Sequence, residues 1–345
     1  MLSKETRLKA KAMLRRILKK ARSFFRLAVN CNIVLAVKIV VIPYFLKNRS
    51  ASELNEYKHN AKKRYLKNKY KSLIKAFRER RNEVDSDRSR DYPIWFLWWQ
   101  GKEQMPPLVK ACYQTLEYYS NGHVVNLVTG DNYNNFVDIP DYILKKLERR
   151  QISTTHFSDV LRMCLLFEHG GLWVDSTVLL TRPLPDLPGI CSHLGFWTPK
   201  DNGDILETCF GARNWVVRED KWMTFCLYAS KHNILTEFVR KMFFAYLKKT
   251  SFFVDYFLFD YFISIAYDVI SDVRVMIDSV PPNNPRIHEI QHRLYMNYEY
   301  NKTLFDDMCK DTFFHKLTWK DTFKEYTANG KLTNYGYIIN NFPPK

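Results

Sequence analysis

The stretch FEHGGLWVDST (167–177) restricts what this chain can fold into more than any other. An apolar, helix-like run halts at two glycines; the hydrophobic residues Leu172, Trp173 and Val174 follow and end in Asp175, Ser176 and Thr177. Glycines stop helices and turn the chain, so the pattern reads as helix, tight turn, buried strand. A buried carboxylate is costly unless it is paired, hydrogen-bonded or bound to a metal. Asp175 therefore needs a partner, and that partner decides what the strand end is for.

The segments before it set the fold class. IWFLWW (94–99) is a short apolar run of the buried-strand type, PPLVKACYQTLEYY (106–119) has a proline start and apolar positions at helical spacing, and HVVNLVT (123–129) is a second strand. Strand, helix, strand opens an α/β unit with a mostly parallel sheet flanked by helices. A short helix near 141–149 follows, then a hydroxyl-capped helix from STTHFSDV that runs to the double glycine. LWVDSTVLL (172–180), read as one strand, places Asp175 and Thr177 on one face and Ser176 on the other. In parallel sheets ligands gather at the carboxyl ends of strands, which is where Asp175 lies.

On the helix before the glycines, Asp159 and Arg162 stand three apart and share a side, with Ser158 beside Asp159. Phe157, Val160, Leu161, Cys164, Leu165 and Leu166 make the rest apolar enough to be buried. The two charges could simply neutralise each other. That leaves Asp175 unexplained unless Arg162 serves both carboxylates.

The run HFSDVLRMCLLFEHGGLWVDSTVL (156–179) resembles the capsular polysaccharide synthesis family of glycosyltransferases, with its Ser-Asp-x-x-Arg helix, Gly-Gly turn and Asp-x-Asp strand. PIWFLWWQG (93–101), DIPDYILKKL (138–147), DYFLFDY (255–261) and HKLTWK (315–320) resemble further segments of that family in its order, so the likeness extends over roughly residues 92–320. The resemblance implies an α/β nucleotide-sugar-binding fold of the type called GT-A. It implies that the aromatic strand, with Trp98, Trp99 and Gln100, lies beside the nucleotide base, that Ser158, Asp159 and Arg162 contact the donor sugar, and that Asp175 meets ribose or metal. Lys316 is then the cation on the diphosphate.

Breaking the bond between a sugar and a nucleoside diphosphate builds negative charge on the leaving phosphates, which a divalent cation or fixed basic groups must stabilise. Mn²⁺ or Mg²⁺ is the expected cofactor, held by Asp175, by Thr177 through water and by His315. Thr177 departs from the family pattern, in which many relatives have a second aspartate. Asp255, in the aromatic run FFVDYFLFDYF, is expected to act as an acceptor-side or catalytic group, although it and Asp260 could equally cap a helix or bond a tyrosine.

Composition separates the chain into unlike parts. With 46% hydrophobic and 15% aromatic residues in 345, it can bury a large core. Residues 1–90 hold 26 Lys and Arg against 7 Asp and Glu, whereas the remainder is close to neutral. The segment 3–28 carries ten basic residues with apolar ones at helical spacing, and 53–81 repeats the theme. This suits amphipathic helices on an anionic membrane surface, through residues 1–50. A helical hairpin packed on the body is the alternative. Nucleic acid is not expected, because the remainder carries no basic surface. NIVLAVKIVVIPYFL (32–46) is too short to span a bilayer and contains Lys38 and Pro43, so an interfacial segment is expected, with both basic flanks cytoplasmic. NEVDSDRSRDYP (82–93) reads as a linker.

The expected organisation is thus a basic helical extension over 1–90, a glycosyltransferase domain over 91–325 and a tail over 326–345. Seven scattered cysteines without C-x-x-C spacing suggest buried thiols in a reducing compartment. The function that the family resemblance implies, joined with the basic extension, is transfer of a sugar from a nucleotide donor, UDP-linked, to a lipid-linked oligosaccharide or growing surface polysaccharide at the cytoplasmic face of the membrane; the resemblance implies retention of configuration. The rivals are a catalytically inactive scaffold or binding protein of the same fold and, less favoured, a nucleic-acid-binding protein using the basic N-terminal arm. FWTPKDNGDILETCFGARNW (196–215) is expected to line the pocket but has no readable sugar code.

Overall fold

Three short parallel strands make the centre of the protein in the computed structural model, which describes residues 4–46, 48–82, 91–190, 195–200 and 221–343. They are β1 (Ile94–Leu97), β2 (Val125–Val128) and β3 (Gly171–Val174), with β1 in the middle. Ile94 pairs with Val125 on one side and Leu172 on the other, and Phe96 pairs with Leu127 and Val174. A three-residue strand, β4 (Val178–Leu180), follows the turn after β3. Beyond β3 lie β5 (Phe196–Trp197) and β6 (Cys226–Ala229), giving the order β2-β1-β3-β6-β5. Only β6 runs against the rest, since it is antiparallel to both β3 and β5. The mostly parallel α/β sheet expected from the sequence is present.

Every residue of β1 and β3 is buried, as strands covered by helices on both faces must be. Truncating Phe96 or Trp173, both closed off from solvent, to alanine would cost about 3–5 kcal/mol. The double glycine is required by this packing. Gly170 and Gly171 have φ of 68° and 96°, and a Cβ on Gly171 would meet the Pro93 carbonyl oxygen at 2.1 Å. Only glycine lets β3 start flush against β1.

The helical N-terminal region comprises α1 (Lys4–Asn30), a broken helical stretch of α2 (Ile33–Ala36), a π-helical turn (Val37–Val41) and α3 (Ile42–Phe45), then α4 (Ala51–Lys69) and α5 (Lys71–Arg78). No helix among the described residues is long and apolar enough to cross a membrane. Ser50 and Glu53 form a reciprocal capping box that starts α4.

The boundary expected at residue 90 does not divide the molecule. Leu66, Tyr70, Ile74 and Phe77 belong to the same apolar core as the sheet, and Lys63, Lys67 and Arg80 pair with Asp268 and Glu237 of the body. Residues 53–81 thus follow the alternative reading, helices packed on the body. Their buried positions Leu66, Tyr70, Ile74 and Phe77 keep spacings of four, four and three across the helix boundary at Tyr70, so one apolar face runs through both helices. The expected tail is also packed: its helix Asn334–Asn341 buries Ile338 in a second apolar cluster with Leu108, Ala111 and Cys112. Those three lie on α6 (Pro107–Tyr118). The linker residues 83–90 and the stretch 201–215 lie outside the described residues.

The remaining helices that frame the site are α7 (Asp141–Glu148), α8 (Thr154–His169), Ile234–Lys249 and Leu258–Val269. Ser153 caps α8 by accepting from the His156 amide at 3.2 Å, and Gly170 ends it.

Candidate active site

The chain leaves β3 at Asp175 and does not continue as one strand. Asp175, Ser176 and Thr177 form a turn closed by a bond from the Val178 amide to the Asp175 carbonyl at 2.9 Å. The two halves of the expected strand belong to different sheets, because β4 pairs with the antiparallel strand β7 (Phe314–Lys316). The turn presents Asp175 and Thr177 to the same side chain. Lys316 Nζ donates to Asp175 Oδ2 at 3.2 Å and to Thr177 Oγ1 at 2.7 Å.

The other partner of Asp175 is Arg162, brought in by α8. Its Nη2 donates to Asp175 Oδ1 at 2.9 Å and lies 3.6 Å from Asp159 Oδ1, so one guanidinium serves both carboxylates. Its Nη1 donates to the Thr224 carbonyl at 2.6 Å, and the group is held over the rings of Trp173 and Phe259 at 4.7 and 5.1 Å. Arg162 Nε has no partner among the described residues. Trp173, two residues before Asp175 and so on the same side of the strand, donates its indole N–H to Asp175 Oδ1 at 2.8 Å.

These groups bound a cavity of about 340 Å³ at the carboxyl end of β3, with Ser158, Asp159, Arg162, Asp175 and Lys316 in its wall. Five of the residues chosen from the sequence are thereby brought together. Their electrostatics pull two acids apart. Burial works against the charge on Asp175, but Lys316 and Arg162 outweigh it and hold its carboxyl below the ordinary carboxylate range. Burial pushes Asp159 up to about 7, with Arg162 opposing and the charges of Asp175 and Asp260 adding to the rise. A fixed carboxylate beside a carboxyl that titrates near neutrality is the arrangement of an acid–base site.

Four expectations are not met by the placement. His315 is wholly buried and faces away from Lys316, because β7 alternates and sets His315 opposite Leu179. Its ring bonds the Thr312 carbonyl at 3.1 Å, and burial lowers its pKa to about 4. Asp255 is absent from the cavity wall. It pairs with Lys62 of α4 and accepts from the Phe257 amide at 3.0 Å, the helix-capping alternative. Trp98, Trp99 and Gln100 follow β1 at the same edge of the sheet but do not line the cavity. Trp98 donates to the Gln104 carbonyl at 3.1 Å, and Trp99 stacks on Tyr133. The expected metal set also fails to assemble. Both Asp175 oxygens and the Thr177 hydroxyl are already bonded by cationic or N–H donors. Among the described residues no group of three or more His, Cys, Asp or Glu is placed to hold a metal. As placed, these residues do not fit Mn²⁺ or Mg²⁺.

Tyr256, Phe259, Asp260 and His288 also line the cavity. Asp260 was visible beside Asp255 in the aromatic run, and its carboxylate accepts from Trp222 at 3.1 Å. Nothing in the sequence pointed to His288.

The protein is thus a mixed α/β fold with a charged, aromatic-walled cavity at the carboxyl end of β3. The chain belongs to the capsular polysaccharide synthesis protein family, whose description matches residues 42–335. A stretch of 125 residues is 26% identical to the O-glycosyltransferase PaGT of Phomopsis amygdali. That match covers 33% of this chain and only 30% of the relative. No solved structure matches.

Proposed function

We propose that the protein is a glycosyltransferase of GT-A type that moves a sugar from a nucleoside diphosphate donor to an acceptor hydroxyl. The observation that carries this reading is the convergence of Asp159, Arg162, Asp175 and Lys316 on one cavity. The family and the partial likeness to an O-glycosyltransferase support it. A new glycosidic C–O bond forms as the acceptor oxygen attacks the anomeric carbon, and the bond from that carbon to the phosphate oxygen breaks. The electron pair leaves with the nucleoside diphosphate. Lys316 and Arg162 stabilise the charge that grows there, and Asp175 keeps both cations fixed. The hydroxyl proton passes to Asp159, whose carboxyl titrates near the working pH.

Lys316 supplies the positive charge expected of a divalent ion, because its ammonium bonds both Asp175 and Thr177. The acceptor in this reading is a lipid-linked oligosaccharide or a growing surface polysaccharide, and the site of action is the cytoplasmic face of the membrane. The basic α1 and its exposed Met13, Leu14, Ile17 and Phe25 support contact with anionic lipid. Confinement to the surface that carries the acceptor raises its effective concentration.

The test is a panel of nucleotide sugars, UDP-linked ones first, with release of free nucleotide as the readout. Turnover that disappears in Asp175→Ala supports the enzyme; silence with every donor sinks it in favour of the scaffold. A single displacement retains configuration, as the resemblance implies, only when the acceptor attacks from the face that the diphosphate leaves, and the anomeric coupling constant of the product tests this.

A further inference from the structure

A second cavity, of about 770 Å³, lies between α1 and the segment that precedes helix Leu258–Val269. Arg15, Lys19, Arg22 and Arg26 line one side of it, and their spacings of four, three and four place them in a single stripe of α1. Lys62 of α4 adds a fifth cation, and no carboxylate contributes to the wall. Lys62 is bonded to Asp255 and the Arg26 guanidinium stands over the Phe252 ring at 5.3 Å, but Arg15, Lys19 and Arg22 pair with no acid among the described residues. Phe252, Phe253 and Val254 form the apolar floor. Beside the basic stripe, one position out of phase, runs an exposed apolar one that includes Leu14, Leu18, Phe25 and Val29.

The cavity is joined to the candidate active site by a single short piece of chain. Residues 252–254 floor the basic groove, whereas Tyr256 and Phe257 wall the reactive cavity. Phe253 stacks flat on His156 of α8, with ring centroids 3.6 Å apart, and His156 lies between Thr155 and Ser158 of the reactive wall, within one turn of the helix.

We propose that this groove seats the phosphate headgroup of a lipid-borne acceptor, with the hydrocarbon tail along the exposed apolar stripe of α1 and the sugar end directed over Phe253 and Tyr256 into the reactive cavity. Charge complementarity selects the headgroup: uncompensated cations around an apolar floor attract an anionic amphiphile and leave a neutral one without a partner for its polar end. The proposal rests on the transferase reading for the identity of the acceptor but is tested by binding alone.

The experiment is calorimetric titration of the full chain with farnesyl diphosphate, compared with farnesol and inorganic pyrophosphate. Farnesyl diphosphate binds at least about tenfold more tightly than either fragment, and the Arg15→Ala/Lys19→Ala/Arg22→Ala variant weakens it by about tenfold or more, as expected for loss of charge-assisted bonds. Lys19→Glu alone, a single change at an exposed position, has the same direction and serves if the triple variant does not fold. Equal binding of pyrophosphate, unchanged binding in these variants, or loss in Lys316→Ala instead overturns the proposal. So does competition by phosphatidylglycerol vesicles as strong as by farnesyl diphosphate, which would mean plain membrane contact. Binding that behaves as expected while no donor is ever turned over removes the transferase reading and leaves the groove; donor transfer to a lipid acceptor at equal rates in wild type and triple variant removes the groove and leaves the transferase.

Discussion

Asp175 and Asp255 are both set among aromatic residues, and each is bonded by a lysine from a distant part of the chain, Lys316 and Lys62 respectively. They differ in what lies on the other side. Asp175 opens on a cavity and shares its second oxygen with a guanidinium that also reaches Asp159. Asp255 turns its oxygens to a helix start and to a lysine of α4, and so fastens the N-terminal helices to the body. Ion pairing among aromatics therefore does not mark chemistry by itself. A second, competing carboxylate and an open volume do.

The sharpest way to break this contrast is Arg162→Ala, which strands two acids in the interior. Removing one partner of a buried pair costs about 3–5 kcal/mol, so the denaturation midpoint falls steeply and donor turnover is lost with it. Arg162→Lys keeps the charge but not the fork, and recovers stability better than rate. A variant that folds and turns over normally would mean the cluster is ornamental to both.

Lys316→Ala tests whether an ammonium has the place of a metal. Turnover of the donor falls about 10²-fold, in the range seen when one stabilising donor of a growing charge is removed, and stability falls less than in Arg162→Ala, because Arg162 and Trp173 still bond Asp175. A chelator leaves the wild-type rate unchanged. Chelator-sensitive turnover in the wild type would contradict the assignment of that charge to Lys316.

Asp159→Asn probes the proton. The wild-type rate rises through a limb near pH 7 as this carboxyl ionises, and the variant loses the limb and about 10²-fold or more in rate. Stability has the opposite sign. The folded protein holds this proton up to about pH 7, whereas an ordinary aspartate releases it near 3.8, so the folded state binds more protons across that window and loses stability as pH rises through it. Asp159→Asn flattens this slope and gains roughly 4 kcal/mol at pH 8, from about three units of raised pKa. Equal slopes from pH 4 to 7 in both proteins would show that Asp159 titrates normally.

Asp255→Asn gives the smallest effect on chemistry. It lowers stability by about 1–3 kcal/mol through a lost partly buried charge-assisted bond and leaves turnover within about threefold. Turnover abolished at unchanged stability would return Asp255 to the catalytic role read from the sequence.

Much of this molecule was legible in one dimension. The strand-helix-strand opening, the Ser153 cap, the double-glycine stop and the pairing of Asp159 with Arg162 on one side of α8 all depend on neighbours within a few positions, where periodicity and turn chemistry act. The reading of LWVDSTVLL as one strand failed because alternation continues through a turn, and nothing local says that β4 leaves for another sheet. His315 was assigned to a metal and is sealed in the core for the same reason. The facing of a three-residue strand is set by its partner register, which joins residues more than a hundred positions apart.

What the sequence determined alone was the family, the α/β order of elements, and the demand that Asp175 find a counter-charge. Which counter-charge it finds was decided in three dimensions. The antiparallel pairing of β4 with β7 sets Val178 opposite Lys316 and delivers its ammonium to Asp175 and Thr177. Charge complementarity falls off over a few ångströms in space but has no limit along the chain, so only folding can select among the many cations a basic sequence offers.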